Sequence, residues 1–433
     1  MKLGQSRNVG GGHGVTLGTA AIALYLFVVH SYKLPLGTVA IVGGLFLVGL
    51  TVRPLRVCPP IYFYAAFLVW CFVTLPAATN VSEAWDAWIE LFKVFLIGCL
   101  TFNAIRTPAQ HRFVTLTWLG MFALYPARGT LFNFLGGNST AGRYGWNFAF
   151  SNFNDMATLT LMPLAMAFER LRSPDKRWVR LCALAGVLSL PFLILITQSR
   201  AGMLGLAMMF LFLFVGTKHK LRLGLSVVGV ALVAALFAPQ GVWDRIRGMQ
   251  YLTKVETLGQ ADASAEQRYV IWQVARNIIY NNPVIGVGIG NYSIVHGVYA
   301  RQRAEWTAAL GNRDTHSTYL RLMAETGPIG LALFLMVFVS TFTDLQKKIK
   351  AIDRLARTDQ RILRERCRMY QAALLGLGVC AIFGSLETTV FPFFGAMLMA
   401  ASTRLDGESA PASRPIRRKA PLPARSANVL SGQ

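Results

Sequence analysis

Of the six histidines in this sequence, His316 has the setting that suits proton transfer. It lies in Asp314-Thr315-His316-Ser317, where a long polar stretch gives way to an apolar one, and either Asp314 or Glu325 could orient its ring. An imidazole of ordinary pKa, about 6.5, is mostly neutral near pH 7 and can take a proton from a hydroxyl. A lone histidine is more often structural, and His13, His30, His111, His219 and His296 fall at helix ends, in loops or inside a loop helix. Arginines supply the complementary chemistry, the holding of an anion. Arg200 stands in Thr197-Gln198-Ser199-Arg200-Ala201-Gly202, a tight connection that sets it at a helix start. There it is either a snorkelling anchor or a guanidinium aimed at a phosphate at headgroup depth. Arg268, Trp272 and Arg276 align at four-residue steps on a helix announced by Ser264-Ala265-Glu266-Gln267 and closed by Asn281-Asn282-Pro283. That face suits an anion and a sugar, and equally a plain solvated surface. Arg143 lies with Tyr144 and Trp146 in the Gly- and Asn-rich run from Gly136 to Asn152, which suits an interfacial belt or a sugar-stacking surface. Arg313 directly precedes Asp314.

The elements that must position these groups are membrane helices. Hydrophobic residues make up 54% of the 433 and charged residues 15%, a composition of polytopic membrane proteins and not of soluble ones. The formal net charge of +23 would point a soluble protein towards nucleic acid, but here its distribution is the informative part. Apolar runs of roughly 17–25 residues, enough to cross a bilayer as helix, number about 12. Nine fall within 1–238 and three within 316–403, among them Trp88–Ile105, Phe113–Leu135, Thr318–Thr341, Tyr370–Ser385 and Val390–Ser402. No cleavable leader is evident, because the Gly-rich start lacks a small-residue cleavage site. The expectation is an all-α, polytopic integral membrane protein with one large helical outside loop, 239–315.

Lys and Arg gather in alternate connecting segments, as the positive-inside rule requires, with both termini on the cytoplasmic side. The segment 344–369, basic but of mixed charge, reads as a helix lying against anionic lipid, and the Pro-, Ser- and Arg-rich tail 404–433 as disordered. The loop 239–315 is an exception, carrying eight Lys and Arg on the outside, either as a plain solvated loop or as the face of an anionic partner. Val242, Trp243, Ile246, Met249, Leu252, Val255 and Leu258 recur about every three residues, as in a surface-lying helix. A tight glycine turn follows at Pro283-Val284-Ile285-Gly286-Val287-Gly288-Ile289-Gly290, then a helix over Tyr292–Trp306. Tyr125-Pro126 predicts a kink, and Glu90 and Lys93 a helical ion pair. None of the six cysteines falls in the outside loop, and they read as packing residues.

Taken together, Gln198-Ser199-Arg200-Ala201-Gly202, Arg268 with Trp272 leading to Asn282-Pro283-Val284-Ile285-Gly286-Val287-Gly288, and His316-Ser317-Thr318-Tyr319-Leu320 with Glu325-Thr326-Gly327 resemble the bacterial O-antigen ligase family. That superfamily also holds O-antigen polymerases and protein O-oligosaccharyltransferases. The motifs span Gln198 to Gly330, and Ser317 departs from the Asn that follows the His in many members. The resemblance implies a GT-C-type glycosyltransferase of the bacterial inner membrane. Such enzymes transfer polysaccharide from undecaprenyl pyrophosphate to a sugar hydroxyl of lipid A-core at the periplasmic face, with inversion and without metal or other cofactor. The loop agrees in having no D-x-D pattern. On that reading His316 is the general base, and Arg200 and Arg268 stabilise the departing pyrophosphate. Arg143, Trp272, Arg276, Arg313, Asp314 and Tyr319 then contact substrate. Membrane lipids are partners and nucleic acid is not. A polymerase or oligosaccharyltransferase is the alternative within the superfamily, and a polysaccharide or lipid transporter the alternative outside it.

Overall fold

The computed structural model describes residues 15–31, 36–51, 54–147, 150–248, 263–355 and 360–405. Apart from an isolated bridge between Thr140 and Arg143, every regular element among them is helical. In chain order these are α1 (Leu17–His30), α2 (Gly37–Thr51), α3 (Pro59–Thr74), α4 (Val81–Ala104), α5 (Pro108–Phe122), α6 (Arg128–Leu135), α7 (Phe153–Arg172) and α8 (Arg177–Ile196). There follow α9 (Arg200–Val215), α10 (Lys220–Leu236), α11 (Gln240–Gly248), α12 (Ala263–Asn281), α13 (Tyr292–Tyr299), α14 (Thr318–Arg354), α15 (Arg361–Cys380) and α16 (Phe391–Ser402). Local chemistry sets many of the starts. Thr16 and Thr107 form capping boxes, Asn80 accepts from the N–H groups of Ser82 and Glu83, and proline opens α3 and α5.

Four helical stretches are long and apolar enough to cross a membrane: Pro59–Ala77, Val81–Ala104, Arg177–Ile196 and Thr318–Arg354. α1, α2, α9 and α16 are apolar but shorter. Along α10 the side chains of Leu221, Leu225, Val228, Leu232 and Leu236 are exposed, a surface that water would reject and hydrocarbon accepts. These features mark a helical membrane protein. α16 is buried along its whole length and packs against α4 and α14, with Phe393 lying 4.0 Å from the Tyr64 ring. α3 lies along α14, and α15 along α7 and α9. Between lipid-solvated helices such packing acts chiefly through dispersion, because hydrocarbon tails are as apolar as the side chains they replace.

α14 departs from the uninterrupted helix expected over Thr318–Thr341. At Gly327 the backbone turns to φ 67°, ψ −174°, and Pro328 follows. Proline has no N–H and its ring displaces the carbonyl four residues back, so backbone acceptors near Ala324 are released. The glycine turn supplies the missing donors. Val287 N–H reaches the Ala324 carbonyl and Gly288 N–H the Glu325 carbonyl, each at 2.9 Å, while Trp70 Nε1 donates to the Thr326 carbonyl at 2.8 Å. A broken helix inside a membrane protein is stable only when its freed groups find partners in this way. A Cβ at Gly327 would lie 1.9 Å from the Val284 carbonyl oxygen, so no other residue permits this approach.

Other expectations are adjusted. α4 begins at Val81, not Trp88, so Glu83 and Asp86 ride on its first turns instead of in a loop; Glu90 pairs with Lys93 at 2.7 Å, as expected. The Tyr125-Pro126 kink is a π-turn over Ala123–Ala127, dividing Phe113–Leu135 between α5 and α6. The helix expected over Tyr292–Trp306 ends at Tyr299 and continues as short 3-10 turns. The basic segment 344–369 is not a separate surface helix. α14 runs on to Arg354 with Leu345, Ile349 and Ile352 buried, and α15 starts at Arg361, because nothing between Thr341 and Arg354 breaks helix. The repeat from Val242 is helical to Gly248; Met249 to Leu258, like the tail from 406, lies outside the described residues.

Candidate functional site

Three non-glycine residues among those described adopt left-handed backbone: Ala141 (φ 51°), Gln198 (φ 53°) and His316 (φ 49°). Each such conformation costs about 1–3 kcal/mol and persists only where its surroundings enforce it. The first two are neighbours in space. Gln198 Nε2 donates to the Gly142 carbonyl at 2.6 Å, and Arg143 Nε donates to the Thr197 carbonyl at 2.9 Å. Gln198 and His316 also share a local design, since each precedes a serine that caps a helix. Ser199 accepts from Gly202 N–H to start α9, and Ser317 from Leu320 N–H to start α14. The left-handed residue turns the chain sharply, so that its side chain stands at the rim of a helix end.

A cavity of about 430 Å³ lies beside these turns, lined among others by Arg143, Asn152, Asn154, Gln267, Arg268, Ile271 and His316. Its walls come from three distant parts of the chain: the Gly/Asn-rich loop with the start of α7, the first turns of α12, and the turn before α14. Asn154 Oδ1 ties the first wall together, accepting from Arg143 Nη2 at 3.0 Å and from Ser199 Oγ at 2.9 Å. Arg143 also lies over the Phe153 ring, 4.6 Å from its centre. Arg200 follows Ser199 at this wall but is not among the lining residues. α12 turns Gln267, Arg268 and Ile271 to the cavity and buries Val274 and Ile278 against Tyr292, Val295 and Trp306.

His316 Nδ1 lies 3.5 Å from Asp314 Oδ2, an ion-pair distance too long for a formed hydrogen bond. Burial holds the imidazole below its usual pKa. Asp314 opposes that shift and Arg268 adds to it. The ring is therefore neutral at neutral pH. A proton on Nδ1 facing the carboxylate leaves Nε2 as the acceptor. Asp314 is itself held twice, by Ser385 Oγ at 2.6 Å and by Arg321 at 3.3 Å. Arg321 also meets Glu325 at 3.1 Å and Glu387 at 3.4 Å, so one guanidinium serves three carboxylates. Burial lifts Glu387 to about 7, against the pull of Arg321. Glu325 in addition accepts from the Tyr292 N–H at 3.1 Å. On its other side Arg321 lines a second cavity, about 450 Å³, with Glu83, Asp86, Glu90 and Lys93.

Arg143, Arg268 and His316, expected from sequence, thus line one space, with Asp314 behind His316. Of the two acids near His316 in sequence it is Asp314 that faces the ring, while Glu325 is buried against Arg321. Other expected contacts are placed differently. The Trp272 indole donates to the Thr315 carbonyl at 2.9 Å and stacks on Phe383, which fixes the turn before His316. Tyr319 OH donates to the Gly378 carbonyl at 2.8 Å, joining α14 to α15. Arg276 is exposed outside the cavity lining, and Arg313, also exposed, donates to the Leu310 carbonyl at 3.1 Å. Sequence reasoning missed Arg321, Ser385, Glu387 and Asn154. Arg321 had a signal, an ionisable residue in an apolar run four positions before Glu325. Ser385 and Glu387 had none.

Comparison with known proteins bears on the same stretch. The chain is similar to the exopolysaccharide production protein ExoQ of Rhizobium meliloti (strain 1021), 25% identical over 374 residues that cover 82% of each chain. Residues 184–335 match the model of the O-antigen ligase family. The matched stretch runs from within α8 to within α14 and holds Arg200, Arg268, Asp314, His316 and Arg321. Over residues 184–335, then, this membrane protein is similar to the O-antigen ligase family.

Proposed function

We propose that the protein is an inverting membrane glycosyltransferase that moves a polysaccharide from undecaprenyl pyrophosphate to a sugar hydroxyl of lipid A-core. The acceptor oxygen attacks the anomeric carbon, the bond from that carbon to the pyrophosphate oxygen breaks, and His316 Nε2 takes the hydroxyl proton. Asp314 keeps the ring oriented and balances the imidazolium that forms. Arg143 and Arg268, with Arg200 at the adjoining wall, stabilise the charge growing on the pyrophosphate. Preorganised donors of this kind each contribute about 10²–10³ in rate, and a positioned base about 10²–10⁴. A pyrophosphate is a good leaving group and needs no general acid. The reaction face is the periplasmic side of the inner membrane, with the cavity at the outer rim of the bilayer.

The observation that carries this reading is the single cavity into which Arg143, Arg268 and His316 project from three remote segments. The test is reconstitution: purified protein, undecaprenyl-pyrophosphate glycan and lipid A-core, with and without a chelator, products resolved by gel and mass. Capped lipid A-core is the expected product, unaffected by the chelator; no transfer to it would reject the ligase assignment. The similarity to a protein named for exopolysaccharide production favours one second reading, polymerisation of lipid-linked repeats. It would appear in the same assay as longer lipid-linked polymer without added acceptor.

A further inference from the structure

At the end of the bundle away from the cavity, three arginines gather where α4 and α16 finish. Arg106 donates Nε to the Asn103 carbonyl and Nη2 to the Pro54 carbonyl, both at 2.9 Å. Arg404 donates to the Phe102 carbonyl, and its guanidinium carbon lies 3.6 Å from the centre of the Phe102 ring. Arg56 is exposed and attached through its backbone N–H, which donates to Asn103 Oδ1 at 2.8 Å.

Helix ends account for part of this gathering. The C-terminus of a helix carries roughly half a negative charge, so α4 and α16 together offset about one of the three positive charges. About two remain. The acid on the neighbouring stretch of α14, Asp344, is engaged with Lys347 at 3.4 Å. Among the described residues, Arg404 Nε and Nη1 are buried without an acceptor. Burial and then the like charges of Arg106 and Arg56 push the Arg404 guanidinium down to about 10. Such a cluster asks for an anion.

The flanks indicate which one. Leu55 and Val57, on either side of Arg56, are 60% and 56% exposed, so the turn before α3 shows apolar side chains alternating with a guanidinium. A soluble phosphate has no use for those side chains. A lipid has, because its phosphate sits at the boundary where its acyl chains begin. We propose that Arg56, Arg106 and Arg404 form a binding site for the phosphodiester headgroup of an anionic glycerophospholipid, with Leu55 and Val57 against its acyl chains. The exposed Arg56 side chain swings onto the phosphate, Arg106 meets it from the α4 end, and Arg404 supplies field from beneath.

The full-length protein in detergent is offered phosphatidylglycerol, phosphatidylcholine or inorganic phosphate, with lipid retention read by native mass spectrometry and stability by thermal melting. Wild type is expected to retain phosphatidylglycerol at least tenfold over phosphatidylcholine and to melt higher with it, while inorganic phosphate leaves the midpoint unmoved. Arg56→Gln with Arg106→Gln should lower retention at least tenfold. Arg56→Gln alone, an exposed change that leaves the backbone bonds of this residue to Asn103 in place, should lower it about threefold. Arg128→Gln, near the cavity end, should retain lipid as wild type does. Unchanged retention in folded Arg56→Gln, equal retention of the two lipids, or equal stabilisation by inorganic phosphate would overturn the site.

Discussion

At the scale of single residues, His316 sits between two opposed charges, and this gives the proposed chemistry a signature in pH. Its pKa lies below the ordinary value, so activity should rise with pH along an acid limb below about 6.5 and level off towards neutrality. Asp314 favours the imidazolium and Arg268 disfavours it. Asp314→Asn should therefore move the acid limb to lower pH, and Arg268→Gln to higher pH, while both reduce the plateau rate. Rate profiles of the two variants that shift in the same direction would remove the electrostatic account. His316→Ala should cost about 10²–10⁴ in turnover with insertion and folding intact; turnover like that of wild type in the reconstituted assay would exclude the base role.

At the scale of elements, the site depends on where helices begin and where one is broken. Ser199 and Ser317 fix the starts of α9 and α14, and the left-handed residues before them turn Gln198 and His316 at the helix rims. The break at Gly327 lets α14 accept the glycine turn, whose own end reaches Thr79 before α4 through the Val287 carbonyl at 3.0 Å. Gly327→Ala places a methyl where only hydrogen fits and keeps φ positive, at a cost of at least about 1–2 kcal/mol from backbone alone. It should lower the thermal midpoint and the yield of monodisperse protein. Trp272→Phe retains an aromatic ring against Phe383 but leaves the Thr315 carbonyl without its indole donor. A loss of about 0.5–1.5 kcal/mol is expected, read by the same melt, with turnover falling more than stability because the His316 turn loosens.

At the scale of the whole molecule, Arg321 joins parts that no local rule connects. Its guanidinium holds Asp314 before α14, Glu325 within α14 and Glu387 in the turn before α16, and Glu325 in turn holds the start of α13. Removing one partner of a buried ionic cluster costs about 3–5 kcal/mol, because the remaining charges stay buried. Arg321→Met should destabilise on that scale, and adding Glu387→Gln should restore part of it, a coupling that a double-mutant melt measures directly. Glu387 also links stability to pH. Its folded pKa of about 7 lies above the unfolded value of 4.5, so its contribution is full below 4.5 and is lost as pH rises towards 7. Across that window Glu387→Gln should lack this decline relative to wild type. An identical pH slope in both proteins would contradict the burial of that carboxyl.

What the sequence determined by itself were the short-range facts. Apolar runs, caps and prolines marked the helices; Arg200, Arg268 and His316 stood out by type and by their neighbours within a turn or two, because caps and periodicity act over a few residues. The length of α14, the break at Gly327 and the start of α4 were missed or misplaced, since each depends on a partner brought from elsewhere to satisfy a carbonyl or bury a face. Tertiary structure alone decided that Arg143 shares a cavity with His316, that Asp314 and not Glu325 faces the imidazole, and that Trp272 and Tyr319 spend their polar atoms on backbone. These are outcomes of packing between segments well separated along the chain, or of competition for one guanidinium. Spacing along the chain carries no record of either.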